Sequence, residues 1–239
     1  MTTNVNQDAV TRLEETVACL CARVQDLLVR NASYPRQRIL IALAGVPGSG
    51  KSTISTALLQ ALPYYGIENA AVVPMDGFHY SKAALSRFDD PELAFRRRGA
   101  PFTFDVAGFL RLVMDLKKTA VTYAGEPEVI IHAPSFDHAI QDPVMDDIKI
   151  SSRTKVAVIE GNYTLLNERY WSKVADLVDE SWFVDVPPDV AKERLVRRHL
   201  QAGIEQTWEA AAHRAEENDI PNGQLIRSKL IEPDVRILN

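Results

Sequence analysis

The first 30 positions carry apolar residues at steps of three and four. This spacing predicts an amphipathic helix from about Gln7 to Val29, because residues three and four apart share one face of a helix. The apolar positions are Val10, Leu13, Val17, Leu20, Val24 and Leu27. Residues 31–38, which include Pro35, are predicted to form a connector. The helix is expected to pack against the rest of the chain or against a second subunit, so a homodimer is one interpretation.

After the connector, apolar residues occur in continuous runs instead of helical spacing. Runs of this kind are typical of strands that are buried on both faces of a parallel sheet. The predicted strands cover residues 38–44, 70–75, 129–132, 156–159 and 181–186, with a short closing strand at 234–238. Helical patterns separate most of them, at residues 52–62, 106–119, 168–178, 189–201 and 207–218. Strands that alternate with helices predict an α/β fold with a doubly wound, mostly parallel sheet.

The same pattern gives a prediction for the domain organisation. Residues 1–37 form the N-terminal helix and its connector, and residues 38–239 form the domain that contains the sheet. Two long stretches inside this domain, residues 81–104 and 133–152, have no place in the alternating pattern. Insertions of this length in a compact domain are usually functional.

Composition and charge narrow the classes of protein. The chain has 239 residues and a formal net charge of −5, which argues against a surface for nucleic acid. The apolar run at residues 39–46 holds eight residues, whereas a membrane-spanning helix needs roughly 20. The first residues lack the pattern of a secretory signal, and there are only two cysteines, Cys19 and Cys21. We therefore expect a cytoplasmic protein.

A glycine-rich motif directly follows the first predicted strand and directly precedes a predicted helix. It is the Walker A pattern, Gly45-Val46-Pro47-Gly48-Ser49-Gly50-Lys51-Ser52, and Thr53 continues the predicted nucleotide-binding segment. Backbone N–H groups of such a loop, together with the helix N-terminus, bind phosphate. Lys51 is predicted to reach the β- and γ-phosphates, and the Ser52 hydroxyl is predicted to be a Mg²⁺ ligand. The motif indicates that a nucleoside triphosphate and Mg²⁺ bind here.

Two acidic residues follow predicted strands. Asp76 comes after the second strand, at the sheet edge where open α/β sheets bind ligands. It could accept a proton from a hydroxyl, hold Mg²⁺ through water, or act as the N-cap of a helix. Glu160 ends the strand Val156–Ile159, as in a Walker B element, and is predicted to contribute to the metal site.

Basic residues cluster in a predicted helix and in the two insertions. Arg194 and Arg198 lie four residues apart and therefore share a helix face. They could close over a phosphoryl group as part of a lid, or they could lie on a solvated basic face. In the insertions, the segments around Arg98 and around Asp137 and His138 are candidate substrate loops.

Taken in order, these segments resemble the P-loop kinases that include uridine kinase, phosphoribulokinase and bacterial-type pantothenate kinase. The matching segments are residues 45–52, 75–79, 97–105, 136–138 and 158–163, together with the arginine-rich helix. The form of residues 75–79 and 136–138 is closer to a branch labelled uridine kinase-like or fructose kinase-like. Residues 217–223 look like the family segment that lies near the nucleotide base.

The resemblance implies a P-loop NTPase fold with a helical lid and gives roles to particular residues. It implies that Asp76 is the general base toward the acceptor hydroxyl and that Arg194 and Arg198 belong to the lid. It also implies that the acceptor is bound by Asp76, His79, Arg98, Asp137 and His138. Residues 38–239 would then be a P-loop kinase domain.

The leading hypothesis is an ATP- and Mg²⁺-dependent kinase that phosphorylates a hydroxyl of a small polar metabolite, such as a nucleoside, a sugar or a pantothenate-like alcohol. The alternative is a nucleotide-hydrolysing regulatory NTPase or switch without such an acceptor. The guanine-reading pattern Asn-Lys-x-Asp does not occur in the sequence. The switch pattern Asp-x-x-Gly occurs at Asp105–Gly108, but at a predicted helix start instead of after a strand.

Overall fold

The structure is a computed structural model that describes the backbone of residues 2–239 and the side chains of residues 10–239. Its strands are β1 (Ile39–Gly45), β2 (Ala70–Pro74), β3 (Ile130–Asp137), β4 (Asp142–Ser151), β5 (Val156–Glu160), β6 (Glu180–Asp185) and β7 (Val235–Leu238). Its helices are α1 (Thr2–Arg30), α2 (Lys51–Ala61), α3 (Lys82–Leu85), α4 (Pro91–Arg96), α5 (Val106–Lys118), α6 (Ser172–Ala175), α7 (Pro188–Gln201), α8 (Trp208–Arg214) and α9 (Ile220–Ser228).

A parallel sheet with the strand order β2-β5-β1-β6-β7 forms the centre of the fold. Every residue of β1 and of β5 is buried, as the continuous apolar runs predicted. Alternate residues of β1 point to opposite faces, so Leu40 and Ala42 contribute to one hydrophobic cluster and Ile41 and Leu43 to the other. Helices cover both faces, which confirms the predicted doubly wound α/β fold.

The apolar run at residues 129–132 was predicted to be a strand of this sheet, and that prediction was wrong. It begins β3, which pairs only with β4 in a separate antiparallel hairpin among the described residues. Ile130 is 41% exposed, so the run is not buried on both faces. A short apolar run alone does not distinguish a buried parallel strand from a half-exposed hairpin strand. The hairpin also occupies most of the second insertion.

Two predicted helices have different bounds in the structure. Residues 168–178 form only the short α6, because Tyr170 has a left-handed backbone with φ 71° that interrupts a helix. The helix predicted for residues 207–218 continues through a π-helical turn, Ala215–Asp219, into α9. Pro221 directly follows this turn as the second residue of α9, and it has no N–H to donate, so the regular α-helical hydrogen bond cannot form at this residue.

Helix α1 packs on the sheet, as its apolar spacing predicted. Its buried residues belong to the same hydrophobic cluster as Ile39, Ile41 and residues of α2. An ionic contact adds to this packing, since Arg23 and Arg30 bind the buried carboxylate of Glu180 at 2.6 and 3.1 Å. Within the part of the chain that the structure describes, no helix is long and apolar enough to span a membrane. The division into residues 1–37 and 38–239 stays a prediction.

Candidate active site

The Walker A segment forms a tight loop between β1 and α2, at the carboxyl edge of the central strand. Gly48 and Gly50 have left-handed backbones, with φ values of 78° and 88°, that L side chains rarely adopt. A Cβ atom on Gly48 would also lie 2.7 Å from the carbonyl oxygen of Ala191 in α7. Thr53 lies in the first turn of α2. The glycines of the motif therefore satisfy both a backbone and a packing requirement.

Glu160 faces the beginning of α2. Both of its carboxylate oxygens lie 3.4 Å from Ser52 Oγ, and Oε1 lies 3.7 Å from Lys51 Nζ. Burial raises the pKa of the Glu160 carboxyl, Lys51 opposes this shift, and the charge of Asp76 adds to it. The hydroxyl of Ser52 and one carboxylate form the kind of donor set that Mg²⁺ uses beside phosphate and water. These two residues therefore fit the predicted metal site.

Asp76 lies close to this group because β2 and β5 are neighbours. Pro74 pairs in register with Glu160, and Asp76 follows two residues later in a 3₁₀ turn, Met75–Phe78. Pro74 occupies the N-cap position of that turn, so the interpretation of Asp76 as an N-cap was wrong. Among the described residues, none donates a hydrogen bond to its carboxylate. Its carbonyl oxygen accepts hydrogen bonds from His79 N at 3.2 Å and from His79 Nδ1 at 2.7 Å.

Helix α7 lies over the phosphate-binding loop and presents Arg194 to it. Arg194 Nη1 lies 3.5 Å from Gly48 O and 3.4 Å from Ser49 O. Arg198, one turn later, has a side chain that is 59% exposed and lies 3.9 Å from Asp219 Oδ1. The structure thus brings one of the two predicted lid arginines to the loop and places the other beside an acid.

His79 follows Asp76 by three residues and packs against two aromatic rings. Its ring centroid lies 3.9 Å from that of Phe104 and 4.7 Å from that of Phe136. Burial lowers the pKa of His79, although the nearby Asp76 opposes the shift. Because Nδ1–H donates to a carbonyl, Nε2 of the neutral ring is the atom that can accept a hydrogen bond.

Arg98 connects the first insertion to the hairpin. Its Nη2 donates to Asp142 Oδ1 at 2.8 Å and to Tyr80 O at 3.0 Å, and its Nη1 donates to Gln141 O. The guanidinium also lies 5.5 Å from the ring centroid of Phe136. Its charge is therefore already balanced by a carboxylate of the protein.

Asp137 and His138 lie at the tip of the hairpin. Asp137 Oδ1 accepts hydrogen bonds from Ala139 N at 2.7 Å and Ile140 N at 3.2 Å, which fixes the turn. His138 is exposed, and its ring lies 5.3 Å from that of Phe136. The predicted acceptor contacts of these two residues stay a prediction.

The segment 217–223, noted in the sequence for its likeness to a base-proximal element, also lies at this site. Asn218 is buried and donates to Arg98 O at 2.7 Å. A Cβ atom on Gly223 would lie 3.6 Å from Val46 Cβ and 3.8 Å from Pro47 Cδ. The segment therefore bridges the first insertion and the phosphate-binding loop.

Two contacts had no signal in the sequence. Tyr163 OH donates to Gly99 O at 2.6 Å, and burial raises the pKa of this phenol. Asn239 Nδ2 donates to Ser49 O at 2.7 Å, across 190 positions of sequence. Tyr163 ends the matching segment 158–163, but nothing in the sequence pairs it with Gly99, and Asn239 belongs to no motif.

A cavity of about 690 Å³ lies behind His79, between the 3₁₀ turn, α5 and the hairpin. Its lining includes His79, Asp105 and Met145, but Lys51 and Asp76 do not line it. We therefore do not assign this cavity to the reacting groups.

A glycine-rich loop after the middle strand of a parallel sheet, closed by a helix that presents an arginine, is the arrangement of P-loop kinases. The structure therefore has the fold and the site of a P-loop kinase. A model of the Phosphoribulokinase / Uridine kinase family matches residues 40–212. The chain belongs to this family, which confirms the resemblance found in the sequence, and family membership implies the use of a nucleotide.

Relatives support this assignment. "Putative uridine kinase C227.14" of Schizosaccharomyces pombe is 43% identical over 201 residues, which are 84% of this chain and 83% of that protein. The structure of "putative fructose transport system kinase" from Silicibacter sp. TM1040 is 37% identical, with a TM-score of 0.77 over 92% of this chain and 98% of the other.

The structure of YFH7 from Saccharomyces cerevisiae is 26% identical, with a TM-score of 0.81 over 93% of this chain and 99% of that one. In sequence, the match covers 55% of the length of "ATP-dependent kinase YFH7" from strain YJM789 of that species. The chain thus matches about half the length of this relative.

Proposed function

We propose that the protein is an ATP- and Mg²⁺-dependent kinase that phosphorylates a hydroxyl of a small polar metabolite, such as a nucleoside, a sugar or a pantothenate-like alcohol. The observation that carries this proposal is the position of Asp76, at the strand end next to Glu160 and the phosphate-binding loop. The names of two relatives refer to uridine and to fructose, which are both small molecules with several hydroxyl groups.

The phosphate-binding loop and its neighbours would hold the nucleotide. Backbone N–H groups of the loop, including those of Gly48, Gly50 and Lys51, and the first turn of α2 would bind the β-phosphate. Ser52 and Glu160 would hold Mg²⁺, which when bound would neutralise negative charge on the phosphates. The ammonium of Lys51 lies 3.7 Å from Glu160 Oε1 and would bind the same phosphates.

Asp76 would accept the proton of the acceptor hydroxyl as its oxygen attacks the γ-phosphorus. In this step the oxygen–phosphorus bond forms, the bond to the leaving ADP breaks, and the proton moves to the carboxylate. Lys51 and Arg194 would stabilise the charge of the moving phosphoryl group, with Arg198 as a second lid cation. We also propose that His79, Arg98, Asp137 and His138 bind the acceptor.

The alternative function is a nucleotide-hydrolysing switch without an acceptor. The Asp-x-x-Gly pattern at residues 105–108 does not support this alternative. Asp105 Oδ1 accepts a hydrogen bond from Gly108 N at 2.9 Å and caps α5. A carboxylate with this role is explained by helix capping alone. The two functions differ in the effect of the acceptor: it should raise nucleotide turnover by a kinase and should not change turnover by a switch.

Formation of ADP from Mg-ATP, measured with and without a panel of nucleosides, sugars and vitamin-precursor alcohols, tests the proposal. We expect one chemical class of acceptor to raise ADP formation well above the acceptor-free rate, and a Lys51→Met variant to lose this stimulated turnover. ADP formation that no acceptor changes, but that still requires Lys51, would favour the switch.

A further inference from the structure

Asn239 joins the last strand of the sheet to the phosphate-binding loop. Strand β7 runs parallel to β6, and Asn239 N continues the pairing by donating to Asp185 O at 3.0 Å. This places the side-chain amide against the loop, where Nδ2 donates to Ser49 O at 2.7 Å. Arg194 Nη1 approaches the same oxygen at 3.4 Å, a longer and weaker contact.

The bond to Ser49 O determines the direction of the next N–H group. The carbonyl of Ser49 and the N–H of Gly50 belong to one planar trans peptide unit and therefore point in opposite directions. If the carbonyl is held outward by Asn239, the Gly50 N–H is held toward the interior of the loop. In a Walker A loop, that is the side on which the β-phosphate binds.

The bond to Asn239 limits the rotation of the Ser49–Gly50 peptide unit. Gly50 has a left-handed backbone with φ 88°, and glycine adopts many conformations at similar free energy, so this peptide unit could rotate at low cost. The amide of Asn239 also lies against the α-carbon of Gly50, because a Cβ atom there would overlap with Nδ2. Asn239 therefore restricts both the rotation of the peptide and the space beside it.

We propose that Asn239 is a positioning residue for nucleotide binding, which orients the Gly50 N–H toward the β-phosphate through its bond to Ser49 O. This inference depends on the nucleotide binding in the proposed function and adds a residue that no motif contains. One hydrogen bond of this kind contributes about a 3- to 10-fold difference in affinity. The effect should be specific to ligands with a β-phosphate.

Calorimetric titration of the full chain with Mg-ADP and with AMP tests the proposal. We expect Asn239→Ala to weaken Mg-ADP binding about 3- to 10-fold and to leave AMP binding unchanged, since AMP has no β-phosphate. Asn239→Asp keeps the shape of the side chain but loses the N–H donor, so its loss should be at least as large. Leu238→Asp is the matched control for charge, because Leu238 is 76% exposed and adjacent in sequence.

The possible outcomes separate this inference from the proposed function. Failure of the wild-type chain to bind Mg-ADP would overturn the proposed function itself. Tight Mg-ADP binding by the wild type and by both Asn239 variants would overturn only the positioning role. Equal losses for Mg-ADP and AMP, or the same loss in Leu238→Asp, would also overturn it, because they would indicate a general change in the loop.

Discussion

Burial of His79 opposes the protonation of its ring. Its pKa lies below the ordinary value of about 6.5 because burial disfavours the charged ring. Between the two pKa values the unfolded chain binds more protons than the folded chain, so the free energy of unfolding falls as the pH drops below about 6.5.

We predict that an Asn residue at this position flattens that dependence. Denaturant unfolding of the wild type and of His79→Asn between pH 5 and 8 should show a larger loss of stability in the wild type at the acidic end. Comparing the two chains removes the contribution of every other titrating group. Parallel curves over the whole range would show that His79 is not the group responsible.

Arg98 shows how a residue with a predicted ligand contact can have a structural role. Its side chain is only 12% exposed and is bonded to Asp142, which is 26% exposed. We predict that Arg98→Met lowers the free energy of unfolding by about 1.5–3 kcal/mol, the range for hydrogen bonds to charged groups. Urea denaturation measures this loss. A stable variant with a raised KM for the acceptor would instead favour a role confined to ligand binding.

At the scale of elements, Arg194 and Arg198 lie one turn apart on α7 and have different partners. Arg194 contacts the phosphate-binding loop, whereas Arg198 lies beside Asp219. We predict that Arg194→Ala lowers kcat at least about 10-fold more than Arg198→Ala does, because charge stabilisation requires contact with the phosphoryl group. Steady-state kinetics at saturating Mg-ATP test this order. Equal losses would mean that both arginines reach the phosphate when the lid closes.

The elements that the sequence predicted well are those with local signals. The strand β1, the glycine-rich loop and α2 follow one another directly, so apolar burial, turn residues and helix start identify all three. The hairpin was not predicted, because its pairing depends on β4, whose residues are mostly exposed or half-buried. Its register joins residues such as Ile131 and Ile150, and no local pattern shows that pairing.

In the candidate site, too, the sequence predicted the residues that belong to local motifs. Ser52 and Glu160 were assigned to one metal site from motif order, and the structure brings them within 3.4 Å. The pairing of Arg98 with Asp142 could not be predicted, because both lie in insertions whose relative position is set by tertiary packing. The contact of Asn239 with Ser49 could not be predicted either, because tertiary packing brings the two residues together and a lone Asn after a strand can have many roles.

At the scale of the whole molecule, two arginines in the C-terminal half of α1 bind the end of the sheet that is opposite the phosphate-binding loop. Glu180 is buried at the beginning of β6, and its carboxylate binds Arg23, Arg30 and the indole N–H of Trp182. We predict that Glu180→Gln lowers the free energy of unfolding by about 1–2 kcal/mol, since the arginines are partly exposed and screened. Thermal and urea denaturation measure the effect.

Glu126→Gln is the matched control for this prediction. Glu126 pairs with Arg36 at 2.6 Å, but both side chains are substantially exposed. Because solvent screens both charges, an exposed pair of this kind contributes little to stability, so Glu126→Gln should lose less than Glu180→Gln. Equal small losses in the two variants would show that α1 is held by its apolar face alone.

In the proposed reaction, the γ-phosphoryl group of ATP is transferred to a hydroxyl with Asp76 as the base. The most direct measurement is ³¹P NMR of the products formed from Mg-ATP and the acceptor that the panel identifies, for the wild type and for Asp76→Asn. We predict that the wild type forms ADP and a phosphate ester in equal amounts. We expect the variant to form the ester about 10²- to 10⁴-fold more slowly, the usual contribution of a general base. Ester formation by Asp76→Asn at the wild-type rate would show that Asp76 is not the base.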